Sequence, residues 1–478
     1  MTQLVGFAPD ADPTTAGVVT DCTNMIPAVV GMESAPSAAT PSGVPALAAA
    51  CQGAAVVSKL DDTRRVFAGT ATKMYELVAG VWTDRSRVGN YTGTTDTVWS
   101  ITQFGDATLC SNKTELIQRS TAGAFADIAT APKAKVIFSA GAFVMALNIN
   151  DGTDKPDGWA CCAVYDDTSW TPSVSTQATT GRLVATAGPI NAGAKLGEYA
   201  VAYKARSIYL GQYVGAPVVW DWIQVPGGEA GCVGQSALCD LGGQHFFVGE
   251  DNFWLFDGTR PVPLSDGVIR SWFFNNSSQV YKYKTTCIFD KATNRVWVFY
   301  VSRNGTYLDS AVVYHVLTKQ WGVADMSIEA AVQFVSEAAT IDGLTGTIDT
   351  LPNVAFDSQY WLAGGRSLSI FNTSHQLQSL TGLSTTSSIT TAHFGDNNTL
   401  TVLDMIRPRF IKSPSSATSV SFGVINAGDT FTQGTTSTLT NGKFDARQCA
   451  RWHKAVLSFT GSTQIADVAF NLKPAGLR

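Results

Sequence analysis

The stretch Ala311-Val-Val-Tyr-His-Val-Leu-Thr-Lys-Gln-Trp-Gly-Val-Ala-Asp325 decides the fold. Its apolar run Ala311–Tyr314 enters a polar bend at Leu317, Thr318 and Lys319, and the chain returns through Trp321. β-branched and aromatic residues flanking a short polar connection read as a hairpin. Upstream, Arg295-Val-Trp-Val-Phe-Tyr-Val301 is a strongly apolar strand, and Thr285-Thr-Cys-Ile-Phe289 precedes it across the turn Asp290–Asn294. Four consecutive antiparallel strands make one meander, whose two faces both want cover. Copies of itself on either side supply it, which is the logic of a propeller.

The same unit recurs outward from this stretch. With the third strand of each unit as a ruler, counterparts fall near Tyr75, Leu116, Val164, Tyr209, Trp254, Tyr314 and Ile370, at intervals of 41, 48, 45, 45, 60 and 56 residues. Propeller blades repeat at about 40 to 50. Two insertions account for the long intervals: 266–284, which suits a short helix or excursion, and the Gly/Thr/Asp-rich 336–353. Tyr75-Glu-Leu-Val-Ala-Gly-Val-Trp82 and Tyr314-His-Val-Leu-Thr-Lys-Gln-Trp321 share an aromatic-to-Trp spacing of seven. The expected fold is all-β: a propeller of about seven four-stranded blades, or six if the Cys161–Cys162 meander is not a blade, joined to a C-terminal β-sandwich-like platform.

At 478 residues the chain exceeds one ordinary core, and its 43 glycines and 15% charged residues suit many short strands on tight turns. Residues 1–50, rich in Ala, Pro, Ser and Thr, read as an extended lead-in that contributes to the platform. Residues 51–382 are the propeller. From 383 to 478, a Ser/Thr-rich linker (Leu383–Thr391) leads into alternating runs at Leu400–Ile406, Ser419–Val424, Val456–Phe459 and Ile465–Phe470, which suit a small sandwich.

Composition narrows the function classes. The opening Met1–Pro9 lacks the basic and apolar regions of a secretory signal, and the longest apolar run, Val136–Leu147, is short of the roughly 18 residues a membrane helix needs. Nine scattered cysteines without a CxxC suggest neither zinc site nor disulfide framework, and read as buried thiols of a reducing cytoplasm. The five histidines show no HExxH; GxSxG, a Walker lysine and GxGxxG are missing too, so no catalytic, cofactor or metal residues are assigned and an enzyme is not expected. Asn148-Ile-Asn-Asp-Gly-Thr-Asp154 has the oxygen density of a calcium loop but the wrong glycine offset, and an Asx turn accounts for it better.

Charge is uneven. From Thr401 to Arg478 nine basic residues face four acidic ones, a local +5, against −10 for the rest. The basic set Arg407, Arg409, Arg447, Arg451, His453 and Lys454 reads either as a solvated sandwich face or as a docking surface for an acidic ring or nucleic-acid phosphates.

Asp21-Cys-Thr-Asn-Met-Ile-Pro27, Tyr75–Trp82, Trp99-Ser-Ile-Thr-Gln-Phe-Gly-Asp106 and the ending Arg447–Arg478 together resemble the tail nozzle or tail hub proteins of short-tailed bacteriophages, also described as packaged-DNA stabilisation proteins. The resemblance implies a structural virion protein of the tail, made in the host cytoplasm. Six copies would form a ring below the portal and adaptor, beside tail fibre or spike proteins, closing the packaged genome and conducting double-stranded DNA without sequence recognition during ejection. It implies no catalytic residues and no cofactor. An acidic body that does not grip phosphates and a basic platform facing an unlike ring fit this reading. The alternative is a carbohydrate-binding or host-recognition propeller, with Trp159, Trp170, Trp220 and Trp222 stacking on sugars.

Overall fold

The computed structural model describes residues 2–39, 44–227, 229–335, 366–426 and 428–477. Strand dominates it. Within the 266–284 insertion the chain forms the short helix Arg270–Asn276 and the 3-10 turn Lys282–Lys284. The insertion 336–353 lies outside the described residues.

Six four-stranded antiparallel sheets stand as separate blades. Five are consecutive in sequence, at 54–84, 100–127, 133–182, 190–224 and 238–263. The sixth, the closing blade, takes Ala330–Val335, Arg366–Phe371 and Leu377–Gly382, and adds Ser37–Ala39 from the lead-in as its outer strand. Between the fifth and the closing blade stands a seventh four-stranded meander of the same form: Thr286–Asp290, Arg295–Tyr300, Leu308–His315 and Gln320–Ile328. The first strands of all seven units neighbour one another in an unbroken circle. The arrangement is therefore six free blades plus one meander whose outer edge is continued by other strands.

The Cys161–Cys162 unit is a regular blade, with Cys161 ending its third strand, Asp154–Cys161. The unit set apart is instead the one around Tyr314. The third-strand ruler holds at Tyr75, Tyr209, Trp254 and Tyr314, falls just before the third strand Gln118–Ser120 at Leu116 and just after Asp154–Cys161 at Val164, and slips at Ile370, which lies on the second strand of the closing blade because that blade borrows its fourth strand from the other end of the chain.

The meander's outer strand pairs at Val323 with Met25 of Met25–Pro27. The sheet then runs through Met32–Ser34, Gln464–Leu477 and Thr399–Lys412 to Phe444–Ala450, with Thr2–Gln3 added at Asp467–Val468, for ten strands in all. A second sheet of seven orders Gly6–Phe7, Val18–Thr23, Thr386–Thr391, Trp452–Thr460, Ser416–Val424 and Thr432–Thr438, with Phe394–Gly395 beside Trp452. The lead-in is thus extended but paired along much of its length. The stretch Leu383–Thr391, expected as linker, supplies an interior strand of the second sheet, directing Ser387, Ile389 and Thr391 inward.

Between these sheets, Leu403, Ile406, Phe444, Ile465 and Val468 meet Val19, Cys22, Ile389, Leu457 and Phe459. The Phe410 ring stands edge-on to Phe459 with centroids 5.8 Å apart. Fully burying each such side chain contributes on the order of 1.5–3 kcal/mol. The same apolar cluster continues without a gap into Phe246, Phe253, Tyr314 and Trp321 of the propeller. Gly322 allows the lead-in to approach: a Cβ there would sit 2.4 Å from the Met25 carbonyl oxygen and 2.6 Å from Ile26 Cα.

Candidate functional site

The platform sandwich separates the six basic residues expected to act together. Alternation along Thr399–Lys412 sends Leu403 and Ile406 inward and exposes Arg407 and Arg409. The neighbouring strand Phe444–Ala450 buries Phe444 and Ala446 and exposes Arg447. Arg407, Arg409 and Arg447 therefore share one solvent-facing sheet surface with Lys443 and Lys473. Three acids on that surface are committed: Asp467 to Arg409 at 2.7 Å, Asp404 to Lys473 at 2.9 Å and Asp445 to Lys443 at 2.7 Å. The Lys473 ammonium holds the Asp404 carboxyl below the usual range. Among the described residues, neither Arg407 nor Arg447 has an acidic partner within ion-pair distance. The surface carries excess positive charge at those two guanidinium groups.

The other three lie elsewhere. His453 is fully buried on the inner face of Trp452–Thr460, its Nε2 2.9 Å from Thr401 Oγ1, and burial lowers its pKa below the ordinary 6.5. It is a neutral core residue and leaves the docking set. Lys454, the next residue, faces the opposite outer surface, its Nζ 4.6 Å from the Phe431 ring centroid and 5.8 Å from that of Phe422. His393 packs on the same Phe431 ring at 4.7 Å. A cation held over an aromatic face is already partly satisfied. Arg451 sits at the bend between two strands, where its N–H donates to the Val424 carbonyl. Thr399's hydroxyl and N–H, Asn398's N–H and the Arg451 charge together hold Asp396 low.

The aromatic residues of the alternative reading are packing residues. Trp159, Trp170 and Trp220 are buried, and half-buried Trp222 packs on Trp159 with centroids 5.5 Å apart. In the 148–154 loop, Asn150 Oδ1 accepts the Gly152 N–H at 3.0 Å, an Asx turn, and Asp151 pairs with Lys155 at 2.6 Å. Among the described residues no group of three His, Cys, Asp or Glu side chains is placed to hold a metal ion. None of their helices is long and apolar enough to cross a membrane. Seven of the nine cysteines are buried, and the thiols of Cys51, Cys161, Cys162 and Cys232 are pushed up to about 12 by burial. Two depart from the expected pattern: Cys239 is half-buried, and Cys449 is exposed, beside Arg447 in the same strand.

Sequence reasoning missed a cleft of about 380 Å³ where meander, closing blade and platform meet, lined by Glu33, Asp290, Arg295, Trp297, Lys412 and Thr463 among others. Arg295 braces it, its Nη1 2.7 Å from Glu33 Oε1 and its Nε donating to the Pro27 carbonyl at 2.8 Å. Its walls come from segments as far apart in the chain as Glu33 and Gln464, so no local motif could announce it.

No family model matches the sequence, and no curated protein matches it. Among solved structures, the computationally designed Ika8 protein aligns over 70% of this chain and 97% of its own, at 13% identity and a TM-score of 0.36. YCF48 bound to D1 peptide aligns over 63% of this chain and 86% of its own, at 11% identity and a TM-score of 0.36. Likeness at that level carries no functional argument.

Proposed function

We propose that this chain is a structural wall element of a short-tailed phage tail nozzle or hub, a ring of six copies around an axial channel that retains the packaged genome and conducts it at ejection. The reading is carried by one observation: a single sheet runs without interruption from Thr286–Asp290, in the propeller's inner circle, to Phe444–Ala450 at the platform's far edge. A hydrophobic core crosses the same junction. A wall element must transmit load between its parts, and a continuous sheet over a shared core leaves no hinge to yield.

Ring closure needs two unlike, complementary surfaces on each copy. The Arg407/Arg447 surface is a candidate for one of them, or for contact with an acidic adaptor-side ring; rim charges of this kind set partner choice and association rate more than raw affinity. The rest of the chain is acidic, which disfavours gripping a passing duplex.

Electron microscopy of the native assembly, averaged without imposed symmetry, tests this. The expected result is a six-fold ring with an open axial channel walled by disc-shaped domains. Discs scattered at a particle's periphery, or a protein that remains monomeric in the assembly's presence, would overturn it. Tight, salt-sensitive duplex binding by the purified chain would overturn the non-stick lumen.

A further inference from the structure

We infer that one mouth of the propeller's central channel is sealed by a latch that crosses the ring, so that the disc is a blind cup and not a pore. In the circle of seven first strands, the one at Ser100–Phe104 is second, Leu238–Asp240 is fifth and Thr286–Asp290 is sixth. Units two and five, and units two and six, are as far apart as a ring of seven allows. The connections that lead into these three strands nevertheless touch.

Gln235 donates its Nε2 to the Val98 carbonyl at 3.4 Å, joining unit five to unit two. Tyr283 donates its hydroxyl to Asp96 Oδ1 at 3.1 Å, and Lys284 Nζ lies 3.2 Å from the same oxygen, joining unit six to unit two. Lys284 also sits over the Tyr281 ring at 4.9 Å. The third side of the triangle is backbone: a Cβ on Gly234 would fall 2.2 Å from the Tyr283 carbonyl oxygen, so only glycine lets those two connections lie together. Asp96, Gln235 and Tyr283 thus meet over the channel axis, each arriving from a different blade.

The surrounding face reinforces the closure. Arg87–Glu115 at 2.7 Å ties the connection after blade one to blade two, and Lys113–Asp154 at 2.7 Å ties blade two to blade three. Arg206 joins blade four to Glu250 of blade five at 2.9 Å, and Lys282 reaches the same carboxylate at 3.0 Å. The loops around the latch are therefore held from outside as well as across the axis. Anything threaded through an assembly of these chains passes between discs, never through one. The inference rests on the propeller alone and does not depend on the nozzle reading.

Two measurements on the purified full chain test it. A water-soluble carbodiimide activates the Asp96 carboxylate, which the Lys284 amine then attacks to form an amide with release of the urea; peptide mapping of the native protein should show residue 96 joined to residue 284. Failure to form that link while Arg-free pairs such as Lys113–Asp154 do form it would overturn the latch. Hydrogen exchange on the double variant D96A/Q235A should show the amides of 94–98 and 281–285 exchanging at least tenfold faster, with the far-side turns unchanged. Exchange equal to the parent protein at those amides would also overturn it.

Discussion

The hairpins Tyr75–Trp82 and Tyr314–Trp321 carry the same aromatic residues at the same spacing, yet one is half exposed and the other is among the most deeply buried parts of the molecule. The difference starts in the turns. In the first blade Ala79 and Gly80, at φ of 47° and 78°, form a two-residue turn, so Trp82 lies opposite Leu77. In the meander four residues make the bend, and Tyr314 and Trp321 face each other with centroids 4.6 Å apart. Neighbours complete the contrast. Trp82 finds Phe371 at 5.9 Å and the Pro45 carbonyl, whereas Trp321 also meets Phe253 at 4.9 Å beneath the lead-in strand. Equal spacing in sequence specifies a hairpin; what covers its outer edge decides what the hairpin is for.

Trp321→Ala should therefore lower stability by about 3–5 kcal/mol, and Trp82→Ala by well under half of that. Denaturant midpoints compare the two, and equal losses would end the contrast. Gly322→Ala strikes the same junction from its backbone side, where the new methyl collides with Met25 and Ile26. A loss of about 2 kcal/mol or more is expected, with early proteolysis of the lead-in. Gly80→Ala meets open space and suffers only its positive φ, so about 1 kcal/mol is expected from it. If the two glycine variants behave alike, the lead-in is not held at that approach.

Histidines extend the comparison to pH. Burial is the largest cause of a lowered pKa in His245 of a free blade, His315 of the meander and His453 of the platform. Below pH 6.5 the unfolded chain takes up protons that these native side chains resist, so their contribution is intact above 6.5 and lost as pH falls. Each adds a slope of up to about 1.4 kcal/mol per pH unit. Replacing His453 or His315 by Gln should flatten the acid limb of a stability–pH curve, and an unchanged limb would show that the sites already bind protons when folded. The smallest stability effect belongs to Arg407→Glu with Arg447→Glu, expected within about 0.5 kcal/mol because both side chains are exposed. If the proposed ring forms, its assembly, measured by light scattering, should nonetheless fall sharply; normal assembly would remove that surface from the proposed interface.

Much of the propeller is legible in the sequence because each blade is local. Its strands follow one another, their turns carry glycine or left-handed residues such as Asn294 and Lys319, and alternation survives in the letters. The closing blade and platform are less legible because their partners are distant. Nothing in Ser37-Ala-Ala39 points to Leu377–Gly382, and Thr386-Ser-Ser-Ile-Thr-Thr391 resembles a linker until Val456 and Leu457 lie beside it. The docking residues divided for the same reason. A run of basic letters, Arg447 to Lys454, crosses a bend and one full strand alternation, so adjacent His453 and Lys454 enter opposite sides of a sheet. Clustering in sequence did not become clustering in space.

The borrowed strand of the closing blade also sets an order of events during synthesis. Ser379 Oγ donates to the Ala39 carbonyl across 340 residues of chain. At about 5–20 residues per second on the ribosome, Ser37–Ala39 waits roughly 20–70 s for its partner. Until then Ser37–Ala39 stands without its partner and the closing blade lacks its two outer strands. A chain truncated before residue 377 would leave the closing blade without Leu377–Gly382 and Ser37–Ala39 without its partner, unpaired edges free to capture one another in neighbouring nascent chains.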